Sequence, residues 1–304
     1  MSCCRIKSRT RNYIHNEVSI LITGSASGIG RRIALDIATI SHSCTLILLD
    51  IDLKKLYELK SFLTTQVKTQ CTIAVYECDV SSSRQVHAVL RDAREHINQK
   101  PLACLISNAG VVTGKDVDKL SSKEIERVLG VNVIGSFNLL REVLPLMKEQ
   151  RFGTIFFMSS VMALLGSSNL SIYCASKAAI NSLAESLRLE LARDGFFEIS
   201  VVVAMPYALH SVGMFSAIGA FESRRDWARP LRDILFPRIT DKDVSQSILD
   251  AIKGECHNSF TIPFHLSYLH ALMRLTLPIS VLDLIVGTCG GYYGLEEVNQ
   301  EMAP

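Results

Sequence analysis

The sequence predicts an α/β fold: a doubly wound parallel sheet with helices on both faces, in a single domain. Three observations predict it: six short β-rich runs, longer helical patterns between them, and a glycine-rich loop at the first strand–helix junction. The 304 residues are 48% apolar, which is enough for a large domain with a substantial core and excludes a disordered chain. The formal net charge is only +2, so we expect no nucleic-acid partner.

The six β-rich runs are apolar along most of their length and do not alternate between apolar and polar residues. Such runs are typical of strands buried on both faces, as in a parallel sheet that helices cover on each side. Because helical patterns separate them, right-handed crossovers are expected, and the carboxyl ends of the strands share one ligand-binding edge. The predicted strands are residues 18–23, 45–50, 72–77, 102–107, 154–159 and 199–204.

The longest helices are predicted over residues 121–149 and 171–193, and a shorter one over residues 241–253. We expect the domain to cover residues 17–262. Within it, residues 206–240 are rich in turn-forming, aromatic and arginine residues, which is typical of an irregular substrate lid.

The two ends are expected to lie outside this domain. Residues 1–16 are basic and contain Cys3 and Cys4; they are either a disordered stub, a product of a shortened gene model, or an anchor acylated beside a polybasic patch. Residues 263–304 form an apolar extension and tail. Charged and polar residues interrupt its segment 264–286, so we expect it not to span a membrane. An interfacial helix, a lid and a subunit contact all remain open for it.

The nine cysteines are scattered, odd in number and without a CxxC pair. This pattern does not indicate a zinc site or a redox dithiol, and we expect no metal. No secretory signal opens the chain, so a reducing, cytosol-facing compartment is expected.

A glycine-rich loop from Thr23 to Gly30 follows the first predicted strand and opens the first helix. Glycines allow a tight turn and let the backbone approach a pyrophosphate, which the helix N-terminus then holds. We therefore expect a Rossmann-like nucleotide site, with a plain turn as the alternative. The expected contacts are Gly24, Ser27, Gly28, Ile29 and Gly30.

Asp50 ends the second predicted strand, where a carboxylate can accept hydrogen bonds from the adenosine ribose and repel a 2′-phosphate. The alternative role is a helix N-cap, for which Asp52 is equally suited. Ser27 and Ile51 offer no cation to a 2′-phosphate. We therefore expect NAD, although Arg31 and Arg32 keep NADP possible.

Two further groups follow the third and fourth predicted strands. Asp79 and Val80 are placed to meet the adenine ring. The triplet Asn108, Ala109 and Gly110 is small enough to pass close to a cofactor or to the sheet. Each group alone is more typical of a turn.

Tyr173 and Lys177 lie four residues apart, which places them on one face of the predicted helix. A free tyrosine titrates near pH 10, and a nearby ammonium together with a cationic ring could lower that pKa. Ser160 ends the fifth strand and could hold a substrate oxygen. Asn132 lies inside the predicted helix 121–149. The Tyr–Lys pair alone is common. Its combination with Ser160 and Asn132 makes the pattern specific.

In order and spacing these motifs resemble the short-chain dehydrogenases/reductases, over about residues 17–262. The resemblance implies that Tyr173 is the acid/base, that Lys177 lowers its pKa and binds the nicotinamide ribose, and that Ser160 positions the reacting oxygen. It implies that Asn132 holds a water of a proton relay. It adds two cofactor contacts, Pro206 and Ser211.

The family's usual Pro-Gly pair reads Pro206-Tyr207 here, as in the branch that holds the epidermal and all-trans retinol dehydrogenases and the lipid-droplet 17β-hydroxysteroid dehydrogenases. The resemblance implies a hydrophobic alcohol as substrate, NAD+ as cofactor, a homodimer formed through the two long helices, and a place at the endoplasmic reticulum or lipid droplets. The alternatives are an NADPH-dependent carbonyl reductase and a nucleotide-binding scaffold on lipid surfaces.

Overall fold

A parallel sheet organises the chain. The computed structural model describes residues 17–41, 43–207, 237, 239–253, 259–263 and 267–286. Within them the sheet has seven strands in the order β3-β2-β1-β4-β5-β6-β7, all paired in parallel, which confirms the doubly wound prediction. The strands are β1 Ser19–Thr23, β2 Thr45–Asp50, β3 Thr72–Glu77, β4 Leu102–Ser107, β5 Gly153–Met158, β6 Ile199–Pro206 and β7 Ser259–Ile262.

Helices connect the strands and cover both faces of the sheet. They are α1 Gly28–Ile40, α2 Leu53–Phe62, α3 Ser83–Asp92, α4 Arg94–Gln99, α5 Ser122–Leu129, α6 Gly135–Gln150, α7 Ser171–Arg193, α8 Asp241–Lys253, α9 Ser267–Thr276 and α10 Ile279–Val286. The predicted helix 121–149 is therefore two helices. A π-helical turn, Gly130–Ile134, joins α5 to α6.

The core consists of one apolar layer on each face of the sheet. In β1, Ile20 and Ile22 face the layer that includes α1 and α8, whereas Leu21 faces the layer that includes α3, α6 and α7. Each central strand thus needs apolar residues on both sides, which explains the uninterrupted apolar runs.

The strand β7 was not predicted, because its four residues are too short a run to stand out. It pairs with β6, and Pro206 lies opposite Ile262, so β6 extends two residues beyond the predicted end. The predicted strands 18–23 and 154–159 also shift by one residue at one or both ends. Most of the predicted lid 206–240, together with residues 1–16 and 287–304, lies outside the described residues.

The apolar segment 264–286 contains α9 and α10, separated at Leu277 and Pro278. One side of this pair packs on the first core layer through Leu269, Met273, Leu282, Ile285 and Val286. None of the helices described in the structure is both long and apolar enough to cross a membrane.

Candidate active site

The glycine loop carries the chain from β1 into α1, and its glycines lie where a side chain would be strained or would meet neighbouring atoms. Gly24 and Gly28 have φ angles of 64° and 51°, which disfavour other residues. A Cβ on Gly24 would lie 2.9 Å from Ala109 Cα, and one on Gly30 would overlap the Gly24 carbonyl oxygen. The Ser27 side chain makes no capping hydrogen bond, so it leaves the first amides of α1 to other partners.

Thr23 and Asn108 fix the shape of this loop. The Thr23 hydroxyl accepts hydrogen bonds from the amides of Asn108 and Ala109, at 3.1 and 3.0 Å. The Asn108 side-chain amide donates to the carbonyls of Thr23 and Gly24, at 2.9 and 3.2 Å. The triplet after β4 therefore holds the loop after β1, and sequence reasoning missed Thr23 because a strand-terminal threonine carries no distinctive signal.

Asp50 lies at the carboxyl end of β2 and faces the same cleft. Its carboxylate accepts hydrogen bonds from the amides of Ala26 (2.9 Å) and Asp52 (3.1 Å). The helix cap is Asp52, whose side chain accepts a hydrogen bond from the Lys55 amide at 3.0 Å. Of the two aspartates that could cap α2, the structure uses Asp52.

The two arginines that open α1 are engaged away from Asp50. The Arg31 guanidinium lies 5.8 Å from the ring centroid of Phe62, and Arg32 donates to the Asp36 carboxylate at 2.9 Å. Ile51, the residue after the acid, is exposed.

Asp79 and Val80 lie along the far wall of the cleft. The Asp79 carboxylate accepts hydrogen bonds from the amide and the hydroxyl of Ser81, at 2.9 and 2.7 Å. The buried Asn138 side chain donates to the Val80 carbonyl at 2.9 Å and so ties this loop to α6.

These groups line one cleft of about 570 Å³ at the carboxyl edge of the sheet, a size typical of small-molecule sites. Its lining includes all of the predicted cofactor and catalytic residues in the described part of the chain except Gly30 and Asn132, with Ile29 and Gly110 among them. Gly30 lies behind the loop. Ser211 lies outside the described residues.

Ser160, Tyr173 and Lys177 meet in this cleft, because β5 ends beside the first turns of α7. All three side chains are buried. The Ser160 hydroxyl hydrogen-bonds with the Tyr173 hydroxyl. The Lys177 ammonium donates to the Met158 carbonyl at 2.8 Å and lies 5.6 Å from the Tyr173 ring centroid.

Burial shifts the pKa values of both titratable groups. The pKa of Tyr173 lies above its ordinary value because the side chain is removed from water, and the hydrogen bond with Ser160 only partly opposes this rise. Burial also lowers the pKa of Lys177 to about 8. That Lys177 and the charge of a cofactor together lower the pKa of Tyr173 stays a prediction.

Asn132 lies in the π-helical turn between α5 and α6. Its side-chain oxygen accepts a hydrogen bond from the Val111 amide at 2.8 Å, and its nitrogen donates to the Val111 carbonyl (3.0 Å) and the Ser176 hydroxyl (2.9 Å). The side chain does not line the cleft. The side chain joins the loop after β4 to α7. That Asn132 holds a water of a proton relay stays a prediction.

A family model described as short chain dehydrogenase matches residues 18–222. The chain belongs to this family. It is an oxidoreductase that acts on CH–OH groups with a nicotinamide cofactor.

Its relatives place this dehydrogenase near the retinol dehydrogenase branch. Short-chain dehydrogenase/reductase family 16C member 6 of Bos taurus is 33% identical over 78% of this chain and 69% of that protein. Epidermal retinol dehydrogenase 2 of Mus musculus is 28% identical over 95% of this chain and 87% of that protein. A solved short chain dehydrogenase/reductase from Burkholderia phymatum, in complex with NAD, is 25% identical, with a TM-score of 0.68 over 90% of this chain and 96% of that chain.

The residues of this dehydrogenase fit a dinucleotide. The glycine loop lines the cleft through Gly24 and Gly28, the Ser27 side chain does not cap α1, and the carboxylate of Asp50 lies at the next strand end. Pro206 and Tyr207 close the opposite end of the cleft, where the Tyr207 amide donates to the Ile262 carbonyl at 3.2 Å. The tyrosine after Pro206 is thereby anchored to β7.

Two serines bond to the backbone of Lys177 and Tyr173, and sequence reasoning missed both. The Ser159 hydroxyl donates to the Lys177 carbonyl at 3.1 Å, and the Ser176 hydroxyl donates to the Tyr173 carbonyl at 2.7 Å. Each lies next to a predicted site residue, but serines beside motifs are too common to single out.

Replacing Lys177 with methionine is expected to change how stability depends on pH. Between pH 8 and 10.5 the folded chain has lost the Lys177 proton while the unfolded chain still holds it, so the unfolded state binds more protons and stability rises with pH. From pH 7.5 to 10 the wild type is expected to gain about 2 to 3 kcal/mol relative to Lys177→Met. Urea unfolding of both proteins at a series of pH values, without added cofactor, measures this difference. If the free energy of unfolding changed with pH in the same way in both proteins, Lys177 would not be a buried ammonium.

Proposed function

We propose that this dehydrogenase transfers a hydride from a hydrophobic alcohol to NAD+, with Tyr173 as the base. The observation that carries the proposal is the convergence of Ser160, Tyr173 and Lys177 in the cleft that Asp50 and the glycine loop enter. A scaffold that only bound nucleotides would not require this set of buried polar groups.

The chain's own residues have distinct tasks in this reaction. Ser160 holds the substrate hydroxyl beside Tyr173, and the Tyr173 phenolate accepts the hydroxyl proton and becomes a phenol. Lys177, fixed by the Met158 carbonyl, places a positive charge near Tyr173 and so favours the phenolate that acts as the base. The bound nicotinamide supplies the hydride acceptor. Burial of all three side chains keeps water away from the reacting carbon.

The charge around the ribose end favours NAD over NADP. Asp50 presents a carboxylate to the cleft, and a 2′-phosphate there would be repelled. Arg31 and Arg32, which could have offset this repulsion, are held by Phe62 and Asp36. The solved relative from Burkholderia phymatum is in complex with NAD, in keeping with this proposal.

Asp50→Ala is expected to lower kcat/KM with NAD+ by about tenfold or more and to raise kcat/KM with NADP+, because ribose hydrogen bonds and phosphate repulsion are both lost. Steady-state kinetics with both cofactors measure the ratio. Asp52→Ala is the matched control, since it removes the neighbouring carboxylate and the α2 cap but does not line the cleft. An unchanged cofactor ratio in Asp50→Ala would refute the assignment.

The substrate end of the cleft supports an apolar alcohol. Met158, Pro206 and Tyr207 form its wall beside Ser160. The relative named epidermal retinol dehydrogenase 2 points in the same direction. A panel of retinol, steroid alcohols and long-chain alcohols with NAD+ tests the proposal: we expect kcat/KM to rise with apolar surface, and a preference for short polar alcohols would contradict it.

We also propose that α9 and α10 lie on a lipid surface at the endoplasmic reticulum or a lipid droplet, facing the cytosol. Their inner side packs on the core, and their outer side exposes Leu272, Leu275, Ile279 and Leu284. Leu275 and Ile279 are 85% and 77% exposed. An apolar face of this kind inserts into the headgroup region without spanning the bilayer.

The double substitution Leu275→Glu and Ile279→Glu is expected to abolish most binding to phosphatidylcholine vesicles, because two charges would enter the apolar boundary. Co-sedimentation measures binding, and turnover of a water-soluble alcohol should stay unchanged. Phe197→Glu is the control, because Phe197 is 61% exposed after α7, on another element. The proposal of a lipid contact would be contradicted if Phe197→Glu lost vesicle binding to the same extent, or if the wild type did not sediment with the vesicles.

We also propose a homodimer. Ile134 in the π turn, Phe137 in α6 and Leu189 in the adjacent α7 are exposed apolar side chains. Such side chains are typical of the core of a subunit interface.

A further inference from the structure

Cys44 and Cys71 lie side by side at the amino-terminal ends of β2 and β3. They directly precede the paired residues Thr45 and Thr72, and the Thr72 amide donates to the Cys44 carbonyl at 3.0 Å. The two sulfur atoms are 3.0 Å apart. Neighbouring strands lie about 5 Å apart, within the Cα separations of about 4.4–6.8 Å that disulfides require.

We propose that Cys44 and Cys71 are a dithiol that a small hydroperoxide oxidises to a disulfide, joining β2 to β3. The other cysteines in the described residues are Cys78, Cys104 and Cys174, and within these residues the one hydrogen bond between two thiols joins Cys44 to Cys71. The pair cannot be recognised from sequence spacing, because 26 residues lie between the two cysteines. The pairing register of β2 and β3 brings them together.

The environment gives the two thiols different tasks. The Cys44 thiol donates to the Cys71 sulfur, which lowers the pKa of Cys71 and raises that of Cys44. Cys71 is also the more accessible, at 6% exposed against 0% for Cys44. Lys100 donates to the carbonyl of Ser43, next to Cys44, and adds a positive charge near the pair. Cys71 is therefore the attacking thiolate and Cys44 the resolving thiol.

The chemistry balances with hydrogen peroxide as the oxidant. The Cys71 thiolate attacks one peroxide oxygen, the O–O bond breaks, and Cys71 sulfenic acid and hydroxide form. The Cys44 sulfur then attacks the Cys71 sulfur, and the sulfenic hydroxyl leaves with the Cys44 proton as water. Two thiols are oxidised, and one peroxide is reduced.

The disulfide would stabilise the adenosine half of the cleft. The strands that start at Cys44 and Cys71 end at Asp50 and Glu77, so one bond at their bases fixes the two strands that lead to Asp50 and Asp79. Because the bond lies at the opposite edge of the sheet from Tyr173, we expect a stability effect and little change in turnover.

Peroxide treatment of the full-length protein tests this inference. The intact mass is expected to fall by two hydrogens, peptide mapping to link the Cys44 and Cys71 peptides, the melting temperature to rise by about 5–10 °C, and dithiothreitol to reverse all three changes. A disulfide elsewhere, or no link between these peptides, would overturn the proposal. So would an unchanged melting temperature.

Two variants separate the roles of the thiols. Cys44→Ser is expected to stop at a Cys71 sulfenic acid that dimedone labels, and Cys71→Ser to remain unlabelled. Cys174→Ser is the matched control and is expected to form the link as the wild type does. Equal dimedone labelling of Cys71→Ser and Cys44→Ser would contradict the assignment of Cys71 as the attacking thiol. The disulfide itself is tested by the peptide map of the wild type, which does not depend on whether a variant folds.

Discussion

Tyr173→Phe is expected to lower kcat for alcohol oxidation by about 10²- to 10⁴-fold, because the change removes the phenol oxygen that we propose as the acceptor of the substrate proton. The ring stays in place in its buried site beside Ser160, so the fold and the dissociation constant for NAD+ should remain close to those of the wild type. Initial-rate kinetics and calorimetric titration with NAD+ measure the two quantities separately.

Tyr57→Phe serves as the matched control, since this tyrosine is exposed on α2 and lies outside the cleft. Turnover should be unchanged in it. If Tyr173→Phe kept wild-type turnover, Tyr173 would not be the base. If turnover were lost while cellular function survived, the scaffold interpretation would replace the enzymatic one.

Gly30→Ala is expected to have the second largest effect, on both stability and cofactor binding. A Cβ at this position would overlap the Gly24 carbonyl oxygen and lie 2.6 Å from the Asn108 side-chain nitrogen. Backbone would therefore have to move, at a cost of about 1–3 kcal/mol in the free energy of unfolding. Because the displaced loop is the proposed pyrophosphate cradle, NAD+ affinity should fall by about tenfold or more. Urea unfolding and calorimetry measure these changes.

Gly166→Ala is the control for this substitution, because a Cβ there would meet no atom within 4 Å. It should leave both stability and affinity unchanged. Equal NAD+ affinity in Gly30→Ala and the wild type would show that the loop is a plain turn and does not hold the cofactor.

The sequence predicted the elements whose signal is local. The strands β2, β3 and β4 and the helices α7 and α8 have the predicted bounds, since each is a long, uniform pattern between turn residues. The strand β7 could not be predicted in the same way, because it is defined by its pairing with β6. The π turn at Gly130–Ile134 likewise depends on packing that no periodicity records.

In the candidate site, too, features with a local sequence signal were predicted, whereas contacts between distant segments were not. Motif spacing predicted that Ser160, Tyr173 and Lys177 converge, because the ends of parallel strands share one edge. It could not show that the Asn132 side chain is used by Val111 and Ser176, since those contacts join three distant segments. The choice between Asp50 and Asp52 also needed coordinates, because either residue could cap α2.

Isotope transfer tests the central claim most directly. The wild-type protein would be incubated with NAD+ and retinol or a long-chain alcohol that carries deuterium on its carbinol carbon, and the nicotinamide product would be analysed by mass spectrometry. Direct hydride transfer predicts one deuterium in the reduced nicotinamide, formed by the wild type and nearly absent with Tyr173→Phe. A reduced nicotinamide without deuterium, or equal transfer by both proteins, would contradict the proposed reaction and the role of Tyr173.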